Sequence, residues 1–373
     1  MNDQRFIVTY HITDNESEAR ERARIICFEQ TVEVWEALVP EGYIRDQILG
    51  KLVNFSKLDE RCYQADISYS IETTAFELTQ FLNVLFGNTS IKTGIRVTNI
   101  QLPDELLNQF SGPRFGIQGI RQLVNVHDAP LLSTALKPMG KSPQELAALA
   151  YQFALGGVDI IKDDHGLTNQ SFCPFEDRVQ ACAEAVARAN QETGKHCMYV
   201  PNISAPMHQI QQRIDYAQNR GAGGLLIAPG LVGFDTMRML AEDDTIDLPL
   251  IGHPAFLGSM VVSPDSGIEQ GILFGLLHRL AGADATIYPN YGGRFGFSRV
   301  ECQHIAHHCQ TTLSHYPAIF PMPGGGMTAD NIPDMLDVYG HNVIFLIGGA
   351  LYTHSPNLVD NVHHFLKLIG RSI

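Results

Sequence analysis

The densest group of chemically useful side chains is Val158-Asp159-Ile160-Ile161-Lys162-Asp163-Asp164-His165. Strand alternation would turn Lys162 and Asp164 to the same side. With His165 they offer oxygen and nitrogen donors to a divalent cation. A lysine beside a metal is unfavourable unless its charge is removed, and reaction with CO2 to a carbamate would make Lys162 a carboxylate-like ligand. Unpaired charges buried next to a strand are costly, which argues for a site rather than a chance cluster. Lys137, after the apolar run Leu131–Leu136, is a candidate general base, because desolvation lowers a lysine's pKa. His253, after Leu248–Ile251, suits orienting a hydroxyl or shuttling a proton. Gly324-Gly325-Gly326 and Gly348-Gly349 offer backbone N–H groups to a phosphate.

These residues share a position relative to the elements that must hold them. From Leu131 onward short apolar runs alternate with segments able to form helices. The runs are Leu131–Leu136, Val158–Ile161, Cys197–Val200, Gly224–Ile227, Leu248–Ile251, Ala285–Tyr288, Ala318–Phe320 and Val343–Ile347. Eight strand–helix repeats over about 240 residues predict a (β/α)8 barrel, whose active site lies where the strands end. The candidate residues all follow a run, so the barrel would gather them at one mouth. His304 and His308 are four apart, but they lie in the helix expected after the sixth run. That places them on the outer ring, as a solvated face able to bind metal only adventitiously. Residues 1–105 read as an α+β domain, 106–130 as a connector and 131–373 as the barrel.

Composition narrows the partners. With 26 basic and 40 acidic residues the formal charge is −14, which argues against nucleic acid or an anionic membrane surface. No apolar run approaches the roughly 20 residues of a membrane span. Seven scattered cysteines, none in a C-x-x-C pair, point to reduced thiols and, with no apolar leader at Met1–Phe6, to the cytoplasm.

Thr134-Ala-Leu-Lys-Pro138 together with Gly156-Gly-Val-Asp-Ile-Ile-Lys-Asp-Asp-His165 resembles the two signature segments of the ribulose bisphosphate carboxylase (RuBisCO) family. The resemblance extends over nearly the whole chain, through Phe28-Glu-Gln-Thr31, Gly87-Asn88, His253-Pro-Ala255, Pro321–Gly326 and Ile347-Gly-Gly349. It implies a ferredoxin-like N-terminal domain, a barrel, and a homodimer or assembly of dimers in which the partner supplies Glu29 and Asn88. It further implies Mg2+ held by carbamylated Lys162, Asp164 and His165, with His165 standing where the family has glutamate. Lys137 matches the lysine of proton transfer, and His253 an active-site histidine. Gly325, Gly326, Gly348 and Gly349 match the phosphate-binding glycines.

The departures bear on activity. Pro254 stands for the arginine, and Gly324 for the serine, that hold the second phosphate of a bisphosphate; Met139 replaces a second lysine. The loop Tyr288–Phe297 lacks the lysine that directs CO2, and Arg294 lies near its place, where a guanidinium suits a substrate carboxylate. The chain is therefore similar to the RuBisCO-like proteins (form IV), without CO2 fixation. Within them it looks most like the decarboxylases of 3-oxo-isoapionate 4-phosphate. The expectation is thus loss of CO2 from a phosphorylated 3-keto sugar acid through a metal-stabilised enediolate. The alternatives are the 2,3-diketo-5-methylthiopentyl-1-phosphate enolase or 5-methylthioribulose-1-phosphate isomerase of methionine salvage, and a non-catalytic regulatory homologue.

Overall fold

In β1 (Arg5–Thr13), Phe6, Val8, Tyr10 and Ile12 are fully buried, the period-two pattern of a strand with one face on a core. The computed structural model describes residues 4–372. The strands that follow are β2 (Lys51–Lys57), β3 (Cys62–Ser70), β4 (Ile95–Gln101), β5 (Leu131–Leu136), β6 (Ile160–Asp163) and β7 (Met198–Val200). Then come β8 (Leu225–Ile227), β9 (Leu250–Gly252), β10 (Gly267–Ile268), β11 (Ala285–Pro289), β12 (Phe320–Gly324) and β13 (Ile344–Leu346).

The chain divides into two units. The first runs to Ser111 and includes Leu257–Leu273, a segment that interrupts the barrel in sequence. Its sheet has the order β10-β4-β1-β3-β2, antiparallel except for β10 on β4. Helices Glu16–Glu29 and Leu78–Phe86 accompany it. Phe6 packs against Tyr69 and Phe81 at centroid separations of 5.4 Å each. The buried Tyr10 hydroxyl is satisfied by Tyr69 and by the Leu85 carbonyl, to which it donates at 2.7 Å.

The second unit is the predicted barrel. Its strands are ordered β7-β6-β5-β13-β12-β11-β9-β8, all parallel. Between β7 and β8 the ring is joined by single bonds, Leu226 N–H to Pro201 O and Ile203 N–H to Leu226 O, each 2.9 Å. The largest departures from the expected strand boundaries are in β6 and β12. Val158 still donates to Phe153 O and so finishes the preceding helix, which moves β6 forward to include Lys162 and Asp163. In β12 the prolines at 321 and 323 lack N–H groups, and the strand extends through them to Gly324.

Helix Gly116–Val124, inside the expected connector, closes one end of the barrel. Its Ile117, Ile120 and Val124 pack on Leu131, Ile160, Met198, Ile251, Phe320 and Ile344, mostly residues that begin strands. Asp284 anchors it: one carboxylate oxygen accepts Phe115 N–H (2.7 Å) and Gly116 N–H (2.8 Å), the other Leu250 N–H (2.9 Å). Burial raises its pKa to about 6 despite these bonds. Asp284→Ala orphans three N–H groups, so denaturant unfolding is expected to show a loss of about 3 kcal/mol or more. A loss below about 1 kcal/mol would mean that the plug does not depend on this carboxylate.

Candidate active site

With that end plugged, chemistry is left to the strand C-termini. At the end of β6, Asp163 is fully buried and faces the helix layer. Its oxygens accept Arg178 Nε at 3.0 Å, the Tyr199 hydroxyl at 2.8 Å and Asn202 N–H at 3.0 Å. Pleating then turns Lys162 and Asp164 the other way. Asn202 continues the support by donating through Nδ2 to His165 O (2.9 Å) and Leu167 O (3.0 Å), which fixes the loop after the strand.

Lys162 is 2% exposed and donates to Asp163 O at 3.0 Å. Burial lowers its pKa to about 8, Asp164 opposing the shift and Lys137 adding to it. A neutral amine is the form that reacts with CO2, so this environment favours a carbamate. Lys137 Nζ lies 3.0 Å from Asp164 Oδ1, with the lysine side chain 41% exposed. The desolvated lysine is thus Lys162, whereas Lys137 is ion-paired and open to solvent. Burial works against the Asp164 carboxylate, but the Lys137 hydrogen bond and charge outweigh it and hold the pKa low.

His165 Nδ1 sits 3.7 Å from Asp164 Oδ1, and its ring stacks on His253 with centroids 4.6 Å apart and planes 17° off parallel. Burial lowers the pKa of both rings, that of His253 strongly; nearby cationic groups add to the shift, and at His165 the Asp164 carboxylate opposes it. His253 Nδ1 accepts Ala255 N–H at 3.1 Å, which leaves Nε2 as the protonated, donating nitrogen of a neutral ring. Among the described residues no three His, Cys, Asp or Glu side chains form a metal cluster. The donor set reaches three only if Lys162 becomes a carbamate, and then a hard or borderline divalent cation fits it.

The glycine positions lie at the ends of β12 and β13. Gly325 and Gly326 have φ of +84° and +116°, conformations that L side chains rarely adopt. A Cβ on Gly326 would meet Gly293 Cα at 2.5 Å, so the loop after β11 lies directly on this turn. Gly348 and Gly349 have open space where a Cβ would point. The N–H groups of these four residues find no acceptor among the described residues, which leaves them free for phosphate oxygens. Arg294, on the overlying loop, places its guanidinium 4.9 Å from the Phe295 ring centroid, and its charge contributes to lowering the His165 pKa.

Glu29 and Asn88 belong to the first unit, where Asn88 Nδ2 donates to Glu29 Oε1 at 3.1 Å and Lys92 Nζ is 3.8 Å from Glu29 Oε2. His304 and His308 lie in the helix Arg299–Gln310, with His308 largely buried and its pKa lowered by burial to about 4. Sequence reasoning missed Arg178, Tyr199 and Asn202 as supports of the site. Alternation could have marked Asp163 as facing outward, but nothing local identifies its partners.

A barrel with its chemistry on strand ends, a buried lysine beside an aspartate, and two glycine turns defines the class. The description "Ribulose bisphosphate carboxylase large chain, catalytic domain" matches residues 116–361, and the chain belongs to that family. Within it this is a RuBisCO-like protein, as the relatives indicate. The 5-methylthioribulose-1-phosphate isomerase of Rhodospirillum rubrum is 36% identical, over 98% of this chain and 96% of that one. A 2,3-diketo-5-methylthiopentyl-1-phosphate enolase from Geobacillus thermodenitrificans is 30% identical, over 98% and 92%. The crystal structure of a RuBisCO-like protein from Rhodopseudomonas palustris superposes with a TM-score of 0.89 at 34% identity, covering 100% of both chains.

The Lys162 environment has a measurable cost. Its folded pKa, about 8, lies below the ordinary 10.5, so the unfolded chain binds the proton more tightly. At neutral pH the buried ammonium therefore destabilises the fold, and the penalty fades as pH rises from 8 towards 10.5. With chelator present and bicarbonate absent, Lys162→Met is expected to be more stable than wild type at pH 7, by up to about 3 kcal/mol. The gap should narrow near pH 10. A variant less stable at pH 7 would contradict the cost assigned to this amine.

Proposed function

We propose that this protein enolises a phosphorylated ketose at the barrel mouth and completes the reaction as an isomerase of the 5-methylthioribulose-1-phosphate type. The observation that carries the reading is the cluster of Lys137, Asp164, Lys162, His165 and His253 beside glycine turns fit for one phosphate. Pro254 and Gly324 supply no side chain to hold a second phosphate, which speaks against a bisphosphate. The names of the isomerase and enolase relatives favour this chemistry over the decarboxylation expected from sequence.

In this reading the Lys162 carbamate, Asp164 and His165 would hold Mg2+, which would supply Lewis-acid chemistry at the substrate carbonyl. Lys137 takes the proton from the neighbouring carbon. An ammonium accepts no proton, so the pair with Asp164 must be exchanged for other contacts in the working enzyme. His253, neutral and donating through Nε2, hydrogen-bonds a substrate oxygen where negative charge develops. The N–H groups of Gly325, Gly326, Gly348 and Gly349 anchor the phosphate, and Arg294 closes over it. We read the enzyme as a cytoplasmic homodimer whose sites are completed by Glu29 and Asn88 from the other copy. Its cysteines are unpaired, and among the described residues no helix is long and apolar enough to cross a membrane.

One observation favours a second reading. Arg294, a cation whose charge is felt at His165, suits a substrate carboxylate, as in loss of CO2 from 3-oxo-isoapionate 4-phosphate.

The two readings separate in D2O with Mg2+ and bicarbonate. 5-Methylthioribulose 1-phosphate is expected to take up solvent deuterium and isomerise, and Lys137→Met should slow this by about 10^2-fold or more. CO2 release from 3-oxo-isoapionate 4-phosphate, without exchange into the pentulose phosphate, would replace the first reading by the second. Mixed dimers of Lys137→Met with Glu29→Gln should regain activity that neither variant has alone, because one of the two sites is then intact. Failure to complement would exclude the shared site.

A further inference from the structure

A polar cavity of about 210 Å³ lies between the first turn of helix Phe175–Thr193 and helix Met207–Asn219. Its buried wall is Arg213, 7% exposed, with its guanidinium carbon 5.1 Å from the Phe175 ring centroid. Nη1 donates to Ser204 O at 3.1 Å. No carboxylate pairs with Arg213 among the described residues, and its other N–H groups have no acceptor there. Those groups face the solvent of the cavity, where they can donate to a bound anion.

The helix end adds donors of the same sign. Pro174 gives the helix no side-chain cap. Asn169 Oδ1 takes the Phe175 N–H at 2.8 Å, while the Glu176 and Asp177 N–H groups have no acceptor among the described residues. A 19-residue helix thus directs its positive end into the cavity that holds Arg213. The side chains of Glu176 and Asp177 line the same cavity and are exposed, so the rim is negative.

A cationic floor under an anionic rim matches a zwitterion better than an anion. Phosphate would gain the floor but be repelled by the rim; a plain carboxylate would leave the rim unused. We propose that this cavity is a binding site for a small α-amino acid. Its carboxylate sits on Arg213 and the helix N-terminus, its ammonium faces Glu176 and Asp177, and its side chain lies along Phe175. The site is separate from the residues at the barrel mouth and does not rest on the function read there.

Calorimetry on the full chain with L-alanine, L-glutamine, acetate and inorganic phosphate tests this. At least one of the two amino acids is expected to bind saturably, with acetate and phosphate roughly tenfold weaker or worse. Arg213→Met should weaken amino-acid binding by roughly tenfold or more. Should that variant fold poorly, Gln212→Trp fills the cavity from an exposed position and should abolish binding with an unchanged melting temperature. Replacing Glu176 by Gln and Asp177 by Asn together should weaken the amino acid and strengthen acetate. The proposal is overturned if neither amino acid binds, if phosphate binds more tightly than both, or if folded Gln212→Trp binds as wild type does.

Discussion

Everything at the mouth depends on which way Asp163 faces. Arg178, Tyr199 and the Asn202 backbone hold its carboxylate in a fully buried network on the helix side of β6. A pleated strand cannot place neighbours on one face, so Lys162 and Asp164 are forced together on the other. Removing one partner from such a pair leaves an uncompensated buried charge, at a typical cost of about 3–5 kcal/mol. The network is therefore as much a register lock as a source of stability. It fixes the geometry of side chains that it never touches.

The electrostatics of the site follow from that lock. Among the described residues Lys162 has no carboxylate oxygen at hydrogen-bond distance and donates to the Asp163 carbonyl, so burial dominates and the amine is pushed towards neutrality. Asp164 is instead claimed by Lys137 and stays a carboxylate. Two lysines of one type thus acquire different chemistry, because one is desolvated and the other is paired and wet. Burial and the same cations hold the pKa of both histidines down, which favours neutral rings that can donate or accept hydrogen bonds. Against a net charge of −14, Lys137, Lys162 and Arg294 form a small local concentration of positive charge at this mouth.

Much of this was legible in the sequence for physical reasons. Runs of buried β-type residues alternating with helical segments can satisfy their backbone and bury their faces in few ways, and a parallel barrel is one of them. Period-two alternation already paired Lys162 with Asp164. The element edges were less legible. Val158 was expected to start a strand, yet it completes a helix end, because a hydrogen bond to Phe153 outweighs its β preference. The helix within 106–130 has an apolar face, but only the open end of the barrel tells that face where to go.

The sequence by itself determined the residue types, their spacing and hence the class of fold and chemistry. Glycine pairs, a Lys-Asp-Asp-His segment and a lysine after the first barrel strand are local facts. Tertiary structure alone decided which lysine loses its water and which keeps a partner, that the rings of His165 and His253 stack, and that Gly293 lies on Gly326. It also placed Arg213, which has no carboxylate partner among the described residues, opposite a helix end. Burial and through-space charge are properties of neighbours brought together from distant parts of the chain, and those properties set a side chain's protonation state and its reactivity.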